Sequence, residues 1–509
     1  MSFRPLCVGV ILLLVVWSPL ELKGQYKTKK QPVSPTLIID QSDLIYDLLE
    51  SFDLVRKAND GDPRAQHELG IRYFIGRGFQ ADTAKAFLWI SRAAAQGYLR
   101  AHFNMGVFYN NGWGTNWDPF SGYRHFRIAA ERNMPEAEYT VALILTENLV
   151  IPRDLDESER WLRKASEQGL EVAKSALREL QERRQEEERR EQPDTSNSLV
   201  MMPSDSARSK VPPFIFLDSQ QDTLSDIENV EDLERLFANR GPQLMKALGI
   251  PEEAIDTTKP PPPAEQLIQT TANVGSPEAR IVLGRCYELG RGCPQDVVRA
   301  AVYYLSAVRL DSPKAAQFLW HLTQETDLLS AAERRAKAGE NDARFVLSGL
   351  SSLQLDYRIT VEQSVQLLEQ ASRANHIESL LELGVRYSSG RTVSQSREKA
   401  LELWRKASSL GSREADVRLA AAELFGPPEE IRPGIIRTLT GYSNEGSSLA
   451  QVALAYCYET GTAVQPNTAE AAQYYRRAAS RGSESAYLSL RRLYDDIRPA
   501  ETEFQINDL

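Results

Sequence analysis

Apolar residues recur along the chain in short blocks with a period near 3.6, and the blocks come in pairs. Ala65, Leu69, Tyr73 and Phe74 mark one face of a helix, and Ala86, Phe87, Trp89, Ile90, Ala93 and Ala94 mark a face of a second. Between them stands Gly76, where a positive φ ends a helix at little cost, and then Asp82, a preferred helix N-cap. The pattern predicts an antiparallel helical hairpin in which small residues, alanine above all, let the two helices approach closely.

The hairpin recurs. The same spacing returns 36 residues later as Ala101, Gly106, Tyr109, Gly112, Gly114, Asp118, Ala129 and Ala130. A third copy starts at Ala137 and keeps Asp154, Ala165 and Gly169, with Asn148 and Val150 in place of its turn glycines. A half-copy at Ala173 runs into the charged stretch Gln181 to Gln192. The pattern resumes with Ala279, Gly284, Tyr287, Gly290, Gly292, Asp296 and Ala300, and further anchors fall at Ala315, Ala343, Ser379, Ala415, Ala450 and Ala486. The interval shrinks to 28 residues between Ala315 and Ala343 and to 35 between Ala415 and Ala450, which predicts shortened or altered loops there. Seventeen residues after most anchors stands a capping residue: Asp82, Asp118, Asp154, Asp296, Thr360, Ser396 or Asn467.

The string Ala65, Leu69, Gly70, Tyr73, Gly76, Gly78, Asp82, Lys85, Ala86, Trp89, Ala93, Ala94 and Gly97 resembles the Sel-one-like repeat, a relative of the tetratricopeptide repeat. The resemblance is strong in the copies at Ala65, Ala101, Ala279, Ser379 and Ala450, and weak at Ala137, Ala315, Ala343 and Ala415. It implies an all-α fold, an α-solenoid of antiparallel helix pairs wound as a right-handed superhelix. It also implies work as a scaffold for protein complexes, which in exported bacterial members is linked to envelope processes or host contact. By analogy with the tetratricopeptide arrangement, the first helices line a concave groove. The residues expected there are His67, Ile71 and Phe74, then Arg100, Phe103, Val107 and Asn110, then Glu136 and Tyr139, a mixture suited to a peptide ligand. Packing of Phe74 and Tyr139 between repeats is the competing expectation.

Composition divides the chain further. Residues 193–264 hold ten of the 26 prolines, including Pro260 to Pro263, and twelve acidic against six basic residues, and they read as a partly disordered acidic linker. The motif Pro212 to Leu217 and a helix pair from Val230 to Leu248 lie inside it. Two arrays of repeats, 40–192 and 265–495, flank it, and 496–509 forms an acidic tail. The first residues carry one basic side chain, Arg4, before the apolar run Leu6 to Trp17, so 1–24 reads as an export signal, with an uncleaved N-terminal anchor as the alternative. The expected location is therefore periplasmic or extracellular, and membrane contact is expected only through such an anchor.

Chemistry-bearing residues are sparse. A net charge of −10 argues against a nucleic-acid partner. Five His and four Cys, with no His-x-x-x-His or Cys-x-x-Cys spacing, argue against a metal site. The triplets at Gly76 and Gly290 keep register with the repeat and read as turns, not phosphate loops. The repeated Asp residues read as caps, not as acid and base catalysts. Cys286, Cys293 and Cys457 read as small buried hydrophobes, with a bridge between Cys286 and Cys293 as the alternative in an oxidising compartment. The expected function is a non-catalytic protein-interaction scaffold without cofactor, metal or catalytic residue, binding proteins or peptides. The alternatives are an accessory subunit of an envelope or cell-wall enzyme and an envelope hydrolase whose site lies in the linker, although that segment contains no His or Cys.

Overall fold

The computed structural model describes residues 51–191, 269, 272–290, 293–356, 358–426, 432 and 434–506. The expected export segment 1–24, the linker 193–264 with both of its internal motifs, and Arg291 and Gly292 lie outside the described residues. Among the described residues the fold is all-helical, with 21 α-helices, one short 3-10 turn and no strand.

Helix α1 spans Ser51–Asn59, and three hairpins follow: α2 (Pro63–Ile75) with α3 (Thr83–Ala95), α4 (Leu99–Asn111) with α5 (Pro119–Glu131), and α6 (Pro135–Glu147) with α7 (Leu155–Glu167). Helix α8, Glu171–Glu191, ends this run. The next helices are α9 (Pro277–Leu289), α10 (Val297–Arg309), α11 (Pro313–Glu325), α12 (Leu328–Lys337), α13 (Asn341–Ser352) and α14 (Val361–Arg373). They continue as α15 (Ile377–Ser389), α16 (Arg397–Ser409), α17 (Arg413–Leu424), α18 (Ile435–Asn444), α19 (Ser448–Thr460), α20 (Thr468–Ala479) and α21 (Glu484–Asp495).

Local chemistry accounts for the boundaries. Gly76, Gly112, Gly290, Gly390 and Gly461 all take φ between 62° and 78° just after a first helix, and Asn148 does the same job with φ 52° in the third hairpin. The side chains of Asp82, Asp118, Asp154, Asp296, Thr360 and Ser396 accept hydrogen bonds from first-turn amides of the second helices. A second bond fixes the same turn. The cap amide donates to the carbonyl nine residues earlier, as in Asp82 to Tyr73 at 2.9 Å, Asp118 to Tyr109 at 3.0 Å, Ser396 to Tyr387 at 2.8 Å and Asn467 to Tyr458 at 2.7 Å.

All eleven anchors, from Ala65 to Ala486, are buried. Five residues beyond the anchor, a small residue sits where the second helix crosses the first. A methyl group at Gly106 would meet the Phe126 ring at 2.5 Å, and one at Gly70 would meet Ile90 at 2.6 Å. The 28-residue interval follows from a two-residue loop, Thr326 and Asp327, and a second helix of only 10 residues, α12. Trp320 occupies the crossing position in that copy and is 49% exposed, because a helix so short does not lie across it.

The described residues form two compact units. One contains 51–191, 468–470 and 490–506; the other contains those between 269 and 467 together with 471–489. The expected second array, 265–495, and acidic tail, 496–509, divide differently from these units at the C-terminal end. Residues 490–506 instead pack with the first array, because Tyr494 and Phe504 bury their rings there. Cys286 and Cys293 are half-buried at a helix end, which corrects their reading as core residues, whereas Cys457 is buried.

Within the second unit the solenoid returns on itself. Ser448 donates from its amide and its hydroxyl to the carbonyl of Gly275, and Ser485 and Ser483 donate to the carboxylate of Asp311 at 2.7 and 3.2 Å. These partners are 172 to 174 residues apart, so one turn of this solenoid closes after five helix pairs.

Candidate functional site

The groove expected from sequence lies on α2, α4 and α6, and the structure divides its residues into two groups. His67, Ile71, Phe103 and Val107 are buried, which corrects their assignment to an open groove. His67 Nε2 accepts from Asn104 Nδ2 at 2.8 Å, and the Phe103 ring meets Phe126 edge-on at 5.3 Å. Ile71 packs in a core with Ala86, Ile90 and Phe108. The cause is the closeness that the small anchors permit. First helices of successive copies touch, and the positions two and six residues past the anchor fall between them.

Phe74, Arg100, Asn110 and Tyr139 keep part of their surface in solvent, and Glu136 is exposed. Phe74 lies against Phe108 and Trp113 with ring centroids 5.2 and 4.7 Å away, next to the exposed Ile75. Burial raises the pKa of the Tyr139 phenol, whose ring packs beside a core of Ala142, Leu162 and Ala165. Packing between repeats thus claims much of both rings.

A histidine pair lies in the same hairpins. The Nδ1 atoms of His102 and His125 are 3.0 Å apart, and the Tyr109 ring stacks on His125 at 5.7 Å. Burial, and then the charge of His102, lowers the His125 pKa to about 4. Burial and Arg132 lower that of His102. The pair therefore remains neutral near pH 7, one ring donating to the other. Among the described residues no group of three or more His, Cys, Asp or Glu could hold a metal ion.

The C-terminal segment forms a built site on α5 that sequence reasoning missed. The turn Thr502–Phe504 places the buried Phe504 ring edge-on to Phe120 at 5.2 Å and to Tyr123 at 6.2 Å. The Arg124 guanidinium lies over that ring at 4.9 Å, donates to Glu501 at 2.6 Å and stands 3.8 Å from Glu503. Arg498 donates to the carbonyls of Leu149, Val150 and Phe504 at 2.8, 3.2 and 2.8 Å. Two signals were legible in principle: an aromatic preceded by two glutamates near the chain end, and Phe120 at a position held by Ala84 and Asp156 in the neighbouring copies.

In the second unit, charged groups that could have suggested chemistry are used on one another. Glu414 is fully buried and receives Arg280 at 2.6 Å, both arms of Arg309 at 3.1 Å, and Arg418 at 2.8 Å. Burial alone would raise its pKa, yet Arg309, Arg280 and Arg418 hold it well below the usual carboxylate range. Arg309 also pairs with Glu378.

Comparison with known proteins fits this architecture. The family described as Sel1 repeat matches residues 63–98, 99–134, 135–170, 277–312, 377–412 and 448–483. An uncharacterized protein of Neisseria meningitidis serogroup B is 28% identical over 123 residues, 24% of this chain and 25% of its own length. The ERAD-associated E3 ubiquitin-protein ligase component HRD3B of Arabidopsis thaliana is 28% identical over 109 residues, 21% of this chain and 17% of its own. The chain thus spans a quarter or less of the length of these curated relatives. Among solved structures, a protective antigen of uropathogenic Escherichia coli strains displaying an SLR fold is 21% identical, covering 87% of this chain and 82% of its own, with a TM-score of 0.30. A Sel1 repeat protein from Oxalobacter formigenes is 32% identical, covering 25% of this chain and 97% of its own, with a TM-score of 0.25. Sel1 repeats generally mediate protein–protein interaction. With six matched repeats set in helical hairpins, this chain is a Sel1-repeat protein.

Proposed function

We propose that the chain is a non-catalytic scaffold, exported to the bacterial envelope or beyond, that holds protein or peptide partners on its repeat faces. The observation that carries this reading is the use of its charged and imidazole groups. His67 bonds Asn104, His102 bonds His125, and Arg280 and Arg309 bond Glu378 and Glu414, each group within its own unit, while aromatic and amide groups such as Phe74 and Asn110 keep a solvent edge. Such a surface offers binding area and hydrogen bonds, and the hydrogen-bonded Asp342–His376–Ser379 chain, at 2.9 and 2.8 Å, ends on a fully buried hydroxyl that no substrate reaches. The apolar run Leu6 to Trp17 supports export. Among the described residues no helix is long and apolar enough to cross a membrane.

A second reading, an accessory subunit of an envelope enzyme, is favoured by the Arabidopsis relative, which is by its description a component of a ligase. Affinity capture from envelope fractions tests the scaffold reading, using the full chain and a Phe74→Ala, Arg100→Ala, Tyr139→Ala variant. The expected result is a discrete set of partners that the folded variant loses in part. Unchanged capture by the variant would remove these residues from the binding face. Absence of any specific partner, or turnover of a substrate by the purified chain, would overturn the scaffold.

A further inference from the structure

The seat of Phe504 has the construction of a peptide-docking site. The segment that fills it is no continuation of the solenoid: after α21 the chain makes a single 3-10 turn, Thr502–Phe504, and lies on α5 through one buried ring and charged side chains. A lone aromatic anchor in a pocket, with a charged rim, is the anatomy of a short-peptide interface. Part of the seat carries α21, whose Tyr494 meets Phe120 edge-on at 6.2 Å, and the rest is covered by the segment alone. Neighbouring copies put Ala84 and Asp156 where Phe120 stands, and both are exposed, whereas Phe120 is buried. Without an occupant, the rings of Phe120 and Tyr123 would form an apolar patch on α5.

Arg498 ties the base of the occupant to the carbonyls of Leu149 and Val150, whereas the ion pairs nearer its tip are modest. Arg124, Glu501 and Glu503 keep 42, 56 and 47% of their side-chain surface in water, so water and salt screen each ion pair. A cavity of about 240 Å³ adjoins the seat, lined in part by Tyr123, Arg127, Ile151, Arg153 and Glu503.

From this geometry we propose that the face made by Phe120, Tyr123 and Arg124 is a docking site for partner segments carrying an aromatic residue preceded by carboxylates, kept closed in cis by the chain's own Glu501–Phe504 segment. The proposal rests on the scaffold reading above and names a partner class and a means of regulation. Buried Phe504 supplies the apolar anchor, Glu501 and Glu503 match the cation of Arg124, and any partner of the same chemistry must displace them. The tether makes the internal segment a strong competitor, so partners engage only at high concentration or through additional contacts on other repeats.

The test uses the full-length chain and a fluorescent synthetic peptide of residues 498–506, read by anisotropy. A Phe504→Ala chain, whose seat is vacated, is expected to bind the peptide at least about tenfold more tightly than the unaltered chain. Adding Arg124→Glu, or replacing the phenylalanine of the peptide by alanine, is expected to abolish that gain. Hydrogen exchange on the unaltered chain gives a second readout that needs no variant: excess peptide should speed exchange of the amides from 500 to 506 and leave α5 protected. Equal binding by the Phe504→Ala and unaltered chains, or no change in exchange at saturating peptide, would overturn the proposal. A concentration-dependent dimer formed by exchanged C-terminal segments would assign the seat to a second copy and also overturn it. Capture of partners from envelope fractions with no peptide binding at this seat would defeat the docking proposal alone. Loss of all capture would defeat the scaffold reading beneath it.

Discussion

Arg309 grips Glu414 with two hydrogen bonds of 3.1 Å although 105 residues separate them in sequence. The pair joins α10 to α17 inside the second unit, and Arg280 from α9 reaches the same carboxylate. A fully buried carboxylate is tolerated only because guanidinium groups satisfy it, and removing one partner leaves the other charge stranded. Glu414→Gln or Arg309→Met is expected to destabilise the second unit by about 3–5 kcal/mol, seen as a lower midpoint in urea unfolding. The pH dependence has a definite sign. Because the folded pKa of Glu414 is depressed, its stabilisation is complete above the ordinary glutamate value and is lost as pH falls through the folded one. Glu414→Gln should flatten that acid limb, and an unchanged limb would count against the cluster.

The histidine pair supplies an acid response at milder pH. With its pKa lowered from 6.5 to about 4, His125 favours the folded state fully above pH 6.5 and progressively less as pH falls toward 4. Burial disfavours a charge on either ring, and Arg132 at the end of α5 adds repulsion on His102 as His102 does on His125. Thermal melts between pH 7 and 4 should show the first unit losing stability across this window, and His125→Phe should remove most of the slope.

Close crossing of the two helices in a hairpin is checked by Gly106→Ala. The added methyl would meet three Phe126 ring atoms at 2.5 to 2.8 Å, so a change that improves helix propensity should instead destabilise by about 1–3 kcal/mol. A neutral or stabilising result in a melt of the full chain would show that the helices can part there.

Two tryptophans make a contrast between a covered and an uncovered crossing. Trp404 is buried with its indole against Gly384, so Trp404→Ala should cost about 3–5 kcal/mol. Trp320 stands in the copy with the short second helix and is exposed, so Trp320→Gln should stay within about 0.5 kcal/mol. Denaturant midpoints of the two variants decide the matter.

What could be read from sequence was the part decided within one hairpin. Asp82, Asp118 and Gly76 act on amides and carbonyls a few residues away, so spacing alone identifies their task, and the burial of every anchor from Ala65 to Ala486 follows from the same repeat. What escaped was decided between hairpins. His67 reads as a groove residue until the next copy brings Asn104 to within 2.8 Å of it, and Phe504 reads as part of a charged tail until α5 offers Phe120 and Tyr123. The Arg309–Glu414 pair has no local signature at all, since it depends on how many helix pairs complete a turn. The groove assignment misses where first helices of successive copies touch, which buries the positions two and six residues past the anchor.

The central claim is that this chain works by holding other chains on its repeat faces. Its most direct test is photo-crosslinking in living cells, with a benzophenone side chain placed in turn at the partly exposed positions Phe74, Asn110 and Tyr139, and at the buried Val107 as a control. The account predicts discrete crosslinked proteins from the exposed positions and none from Val107. A chain that crosslinks to nothing beyond background at all four positions, while remaining folded and abundant, would contradict it.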